Sequence, residues 1–274
     1  MNNTIFNTEF IYGKSNSTIV KIQKLSDKKY RNEYKLFLCD GIKLFFEAFD
    51  SGAEIKYIVL NNEISFSDDV INKIKTAQSR GAEVLCVSPQ IFAKLTKENS
   101  PQGIITVCKY FDSKHCFSKF SKNIFETEKI MAFESVRDPG NIGTILRNAT
   151  AMGIDRLIFS SDCADIYSPK VIRASMGAIF KINIDVVEDL SLTIEYLKNT
   201  SRKVLAAALD KNSNILGKYN LLPSDVIILG NEGHGISQEI ISLCDGSIFI
   251  PMKENVESLN VAMASGIFMW EISK

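Results

Sequence analysis

Between residues 126 and 274, short apolar runs alternate with helix-like segments, and this alternation limits the possible folds more than any other feature of the chain. The strand-like runs are KIMAFES (129–135), RLIFS (156–160), IFKINID (179–185), KVLAAAL (203–209), VIILG (226–230) and SIFIP (247–251); a last helix is expected from about Ser258 to Ile272. Strands separated by helices pair in parallel, with the helices covering the faces of the sheet. Ligands on such sheets collect at the carboxyl ends of the strands. Residues 1–112 alternate less regularly. A helical pattern over 17–35 puts Ile19, Ile22 and Leu25 on one side; a strand at 35–41 leads into a helix over 42–52; further strands are expected at 55–60, 82–88 and 103–110. The expected architecture is α/β: a smaller domain over 1–112, a polar linker over 113–125, and a parallel-sheet domain over 126–274. A chain of 274 residues suits two domains of that size.

Composition removes several classes. With 45% hydrophobic and 23% charged residues the chain is an ordinary globular sequence. No apolar run approaches the roughly 18 residues that span a bilayer. The opening MNNTIFNTEF lacks the basic and apolar regions of a secretory signal, so a cytoplasmic location is expected. The six cysteines are scattered without a C-x-x-C pair and read as buried thiols in a reducing compartment. Only His115 and Cys116 adjoin, too few ligands for zinc, and no metal is expected. The formal net charge of zero conceals a split. Residues 1–125 hold 18 basic against 13 acidic side chains, and residues 126–274 hold 14 against 19. A basic first half can meet a polyanion, although a solvated lysine-rich surface gives the same count.

Three polar breaks stand at strand ends of the second half. The first, RDPGNIGTILRNATAMG (137–153), turns at Asp138-Pro139-Gly140 and becomes a helix with Ile142, Ile145, Leu146, Ala149 and Met152 on its core side. Gly140, Gly143, Thr144 and Arg147 fall elsewhere, which leaves one arginine above a nearly side-chain-free surface. The second, GNEGHG (230–235), spaces its glycines as G-x-x-G-x-G, not as the G-x-G-x-x-G of a dinucleotide loop. Its one formal charge is Glu232, and a lone loop histidine such as His234 is more often incidental than a base. The third, IPMKENVESLNVAMASGI (250–267), offers Ser258 as the N-cap of the last helix with Asn260 in its first turn. Leu259, Val261, Met263, Ile267 and Trp270 add apolar surface. Each break alone fits a structural turn.

Together, in this order and wording, the three breaks resemble the sequence motifs of the SpoU/TrmH branch of the SPOUT RNA methyltransferases. The resemblance covers roughly residues 126–274 and extends to SPKVIRASMGAIFKI (168–182). The segments KLFLCDGIKLFFEAF and ENSPQGIITV resemble the ribosomal-protein-like recognition domain that many members carry. The resemblance implies a deep trefoil knot, a homodimer through the C-terminal domain, and methyl transfer from S-adenosylmethionine to a ribose 2′-oxygen of RNA. Ribosomal RNA is the expected substrate ahead of transfer RNA; an RNA-binding or assembly protein without catalysis is the alternative from another class. By the same resemblance Arg147 is the catalytic arginine, Asn141 its partner, Glu232 the second-motif glutamate, and Ser258 and Asn260 the third-motif polar pair. Leu229, Gly230, Asn231, Ile250, Met252 and Leu259 are the positions expected at the methyl donor. Glu254 departs from the pattern, since many members have glycine there.

Overall fold

A computed structural model describes residues 2–8, 10–13, 15–111, 128–210, 212–253 and 258–274. The expected linker over 113–125, the His115–Cys116 pair and the loop position Glu254 lie outside the described residues. The chain forms two compact units, one of residues 1–111 with 165–180 and one containing the remainder.

The first unit is built on strands β1 (Phe10–Ile11), β2 (Leu36–Asp40), β3 (Ile55–Asn61), β4 (Glu83–Val87) and β5 (Ile104–Lys109), in the order β1-β4-β3-β5-β2. β1, β4 and β3 run parallel, whereas β5 lies antiparallel to both β3 and β2. Ile19, Ile22, Leu25, Val59, Phe92 and Val107 form part of the core on one face, and Phe45, Ile58, Ile74 and Val84 on the other. The helical pattern over 17–35 resolves into two helices, Ser17–Lys24 and Lys28–Tyr34. Asp27 ends the continuity: its carboxylate accepts from the Lys29 amide and caps the second helix. Residues 165–180 pack here as the helix Pro169–Ser175 and a 3-10 turn at Ala178–Phe180. Arg31, buried in this unit, donates to Asp165 at 2.6 Å and to the Leu25 carbonyl at 2.8 Å, while Tyr110 stacks on Tyr167 at 3.8 Å.

The second unit carries β6 (Ile130–Phe133), β7 (Arg156–Ser160), β8 (Asn183–Val187), β9 (Val204–Ala207), β10 (Asn214–Ile215), β11 (Val226–Leu229) and β12 (Gly246–Phe249). They form one sheet in the order β10-β12-β9-β11-β6-β7-β8, parallel throughout. The strands expected at 129–135, 156–160, 203–209, 226–230 and 247–251 are present. That expected at 179–185 lies later, at Asn183–Val187, because residues 178–180 form the 3-10 turn. β6, β7 and β11 are buried along their whole length, which explains their unbroken apolar runs. β11 enters between β9 and β6, so the loops after β6, β9 and β11 are neighbours at the carboxyl end of the sheet, beside the loop after β12.

Candidate active site

The helix Pro139–Ala151 begins where the first motif turns. Asp138 caps it by accepting from the Gly140 and Asn141 amides at 2.5 and 3.3 Å, and Pro139 fits the first helical position because its missing N–H would have no partner there. Ile142, Ile145, Leu146 and Ala149 are buried as their spacing requires, and Gly143 is buried with them. Arg147 is exposed, and its guanidinium has no hydrogen bond or ion pair among the described residues.

The glycine loop after β11 closes on itself. The Asn231 amide donates to the Gly235 carbonyl and the Gly235 amide to the Asn231 carbonyl, both at 2.9 Å. A Cβ on Gly230 would stand 2.2 Å from the Gly235 carbonyl carbon, so no other residue fits there without moving backbone. Asn231 pins this loop to the end of β6. Its Nδ2 donates to the Ser135 carbonyl at 2.7 Å, and its Oδ1 accepts from the Gly233 and His234 amides at 2.8 and 3.2 Å.

The last helix runs Val261–Ser273, and its cap corrects the sequence expectation. Asn260, not Ser258, closes the N-terminus, its Oδ1 accepting from the Ala262 and Met263 amides at 2.9 and 3.3 Å. The same side chain donates through Nδ2 to Asn141 Oδ1 at 2.9 Å, and Asn141 Nδ2 donates to Glu232 at 2.8 Å. Glu232 also accepts from the Arg137 and Asp138 amides, each at 3.4 Å. One residue from each motif thus joins a single chain, Asn260–Asn141–Glu232. Partial desolvation would raise the Glu232 carboxyl, but the donors from Asn141, its own loop, Arg137 and Asp138 outweigh it and hold the group below the usual carboxylate range.

Beneath this chain lies a cavity of about 410 Å³. Its apolar lining includes Leu229, Ile248, Ile250, Val261, Ala264 and Phe268, and its polar rim includes Asn231, Glu232 and Ser258. Leu229, Gly230, Asn231, Ile250, Met252 and Leu259 all line it, as do Glu232 and Ser258. Asn141 and Asn260 reach it through Glu232, while Arg147 lines neither this cavity nor the polar one beside it. Sequence reasoning missed Ala207, Ala208 and Leu209, which form a further wall after β9. Their run carries no glycine or charge, and only the position of a strand end could have pointed to them.

Residues 128–270 match the model of the SpoU rRNA Methylase family. The chain belongs to that family. Residues 16–106 match an MRM3-like substrate binding domain. Among relatives, the Bacillus subtilis 23S rRNA (guanosine(2553)-2'-O)-methyltransferase RlmP is 28% identical over 96% of this chain and 98% of its own length. The mitochondrial rRNA methyltransferase 3A of Danio rerio is 27% identical over 89% of this chain and 65% of its own. An AdoMet-bound rRNA methyltransferase from Sinorhizobium meliloti gives a TM-score of 0.83 at 28% identity, covering 96% of this chain and 97% of that one. The expected α/β class, with a SPOUT-type parallel-sheet domain preceded by a smaller substrate-binding domain, is therefore the fold of this SpoU family member. Among the described residues, no helix is long and apolar enough to cross a membrane, and no cluster of three or more His, Cys, Asp or Glu could hold a metal.

Proposed function

We propose that the chain is an S-adenosylmethionine-dependent methyltransferase acting on a ribose 2′-oxygen of RNA, with ribosomal RNA as the substrate. The observation that carries the reading is the Asn260–Asn141–Glu232 chain, which joins three separate motifs at the rim of one cavity. The relatives named above support it, since they are named as rRNA methyltransferases and one was solved with AdoMet.

The cavity suits the donor in size and lining. Its apolar floor matches an adenine ring, the glycine loop allows close backbone approach, and the Glu232 carboxylate offers negative charge to a cationic ligand. Leu229, Gly230, Asn231, Ile250, Met252 and Leu259 are assigned to donor contact. S-adenosylmethionine would supply a methyl group on a sulfonium, and the neutral thioether left behind departs without a metal. The protein must bring the ribose hydroxyl in line and help it lose its proton. A guanidinium is a poor base, so Arg147 is assigned to orienting the nucleotide and stabilising charge that develops on the 2′-oxygen. Asn141, Glu232 and Asn260 hold the loops in register, and Ser258, on the rim, is assigned to substrate contact.

The working division of the chain is RNA recognition by residues 1–112, a linker over 113–125 and catalysis by 126–274. The trefoil knot implied by the motifs is part of this reading, and the insertion of β11 between β9 and β6 supports it. A homodimer through the C-terminal domain is proposed as well, supported by Met263, Ile267 and Trp270 of the last helix, which are 63%, 37% and 60% exposed. Titration calorimetry with S-adenosylmethionine in EDTA tests the donor assignment. One site per chain is expected, and an absence of binding would overturn it.

A further inference from the structure

The helices Ser17–Lys24 and Lys28–Tyr34 follow one another in the first unit, and their surface outside the core is dominated by lysine and tyrosine. Ile19, Ile22 and Leu25 bury the inner side, and Arg31 pins the second helix through Asp165 and the Leu25 carbonyl. Outside the core stand Lys21, Lys24, Lys28, Lys29 and Lys35, against two acids, Asp27 and Glu33. The Asp27 carboxylate is already engaged with the Lys29 amide. None of the five ammonium groups has a carboxylate partner among the described residues, whereas Lys73 and Lys109 of the same unit pair with Asp50 and Glu54.

These lysines meet aromatic rings instead. Tyr30 and Tyr34, one turn apart on the same helix face, are half-buried and stacked, with centroids 6.0 Å apart and planes 27° from parallel. The Lys21 ammonium lies 4.8 Å from the Tyr34 centroid, and those of Lys24 and Lys29 lie 4.9 and 5.7 Å from that of Tyr30. Lys35, at φ +53°, closes the second helix and sets its ammonium 5.7 Å from the Tyr110 centroid. Uncompensated positive charge is thus stored directly on ring faces.

We propose that this helix pair is a platform for an unpaired stretch of RNA, with Tyr30 and Tyr34 stacking on bases and Lys21, Lys24 and Lys29 meeting the flanking phosphates. The proposal rests on the RNA methyltransferase reading above and names the form of RNA that the first unit takes. The sign of the charge selects a polyanion, and the rings select among polyanions. A duplex keeps its base faces within its own stack and offers only phosphates here, while an unpaired strand offers both. An exposed ammonium–ring contact is weaker than base–aromatic stacking. A base therefore displaces the lysine from its ring, and the freed ammonium turns to the neighbouring phosphate. An acidic protein segment would match the charge and leave the rings unused.

Fluorescence anisotropy on the full chain tests this with a labelled unpaired RNA of about 12 nucleotides, its duplex with the complementary strand, and an oligoglutamate of equal charge. The unpaired RNA is expected to bind at least about fivefold tighter than the duplex and about tenfold tighter than the peptide. Tyr30→Leu combined with Tyr34→Leu should erase the preference for the unpaired strand and keep the salt dependence. Tyr30→Phe with Tyr34→Phe retains the ring faces and should retain the preference. Lys21→Gln, Lys24→Gln and Lys29→Gln together should lower the slope of log affinity against log salt by about 2, since each phosphate contact on a single strand contributes about 0.7. Far-UV circular dichroism and donor affinity are expected to be parental throughout, and the lysine variant alone decides if the leucine pair unfolds. Equal binding of unpaired RNA and duplex or peptide, a leucine pair that keeps the preference, or a lysine variant with the parental slope would overturn the platform while donor binding stays intact. Calorimetry showing no donor binding by the wild-type protein would instead remove the methyltransferase reading, whatever the RNA result.

Discussion

Gly230 and Glu232 illustrate two ways in which a residue becomes fixed, and Arg147 stands free of both. At Gly230 the constraint is steric, since a Cβ would meet the Gly235 carbonyl carbon at 2.2 Å. Gly230→Ala should force the Asn231–Gly235 bridge apart. We expect a stability loss of about 1–3 kcal/mol, the usual cost of overpacking, and donor affinity reduced at least tenfold by calorimetry. Glu232 is constrained electrostatically. Its folded pKa is depressed, so its stabilising bonds are fully present above the ordinary glutamate value of about 4.3 and are lost as pH falls through the lower folded value. Donor affinity should therefore show no step from Glu232 between about pH 6 and 8, and titration in increasingly acidic buffer should reveal the loss only below about pH 4. Glu232→Gln should flatten that acid limb. Arg147 is constrained by neither packing nor pairing. Arg147→Ala should melt within about 0.5 kcal/mol of the parent and bind donor normally, yet lose roughly 100-fold in single-turnover rate. Arg147→Lys should also be impaired, because lysine lacks the planar fork. These residues were legible as candidates from a glycine-rich strand end, a lone acid within it and an arginine off the apolar stripe. The role of Asn231 was not, because its contacts to Ser135 and to its own loop join positions far apart in sequence.

At the scale of elements, helix starts carry most of the information. Asp138 and Asn260 each cap a helix of thirteen residues, and Asn260 also reaches across to Asn141. Ser258 and Asn260 are comparable caps by chemistry and stand two positions apart, so local sequence could not choose between them. The tertiary bond to Asn141 accompanies the choice. Asn260→Asp keeps a capping oxygen but replaces the donor facing Asn141 with a second acceptor. It should melt within about 1 kcal/mol of the parent while losing donor affinity, whereas Asn260→Ala should lose about 1 kcal/mol through the cap as well. Thermal melting and calorimetry on the pair separate the two roles. The other misplaced element, the strand expected at 179–185, failed because Ile179 and Phe180 are apolar for a different reason. They belong to the turn Ala178–Phe180, where Phe180 packs near Phe37 and Phe111 at ring-centroid distances of 6.1 and 5.6 Å. An apolar run records burial without recording what it is buried against.

For the whole molecule, the alternation of strands and helices made the parallel pairing of the second sheet legible, but the allocation of residues 165–180 was hidden. Periodicity carries no mark that a stretch leaves one unit for another, and here Asp165, Tyr167 and Phe180 have partners in the first unit. Removing residues 1–111 should therefore strip Tyr167, Ile172 and Phe180 of their cover. The truncated protein is expected to bind a hydrophobic dye and to aggregate at concentrations where the parent stays dispersed, which light scattering would detect. If RNA recognition also resides there, the truncated protein should lose the salt-dependent part of RNA binding. The proposed activity moves a methyl group from S-adenosylmethionine to a ribose 2′-oxygen of ribosomal RNA. It is tested most directly by incubating the purified protein and methyl-labelled donor with ribosomal RNA from cells lacking the gene, then mapping alkali-resistant 2′-O-methyl sites. One labelled 2′-O-methyl nucleotide is expected with the parent and none with Arg147→Ala on the same timescale; label on a base, or no label in RNA from a protein that binds the donor, would overturn the assignment.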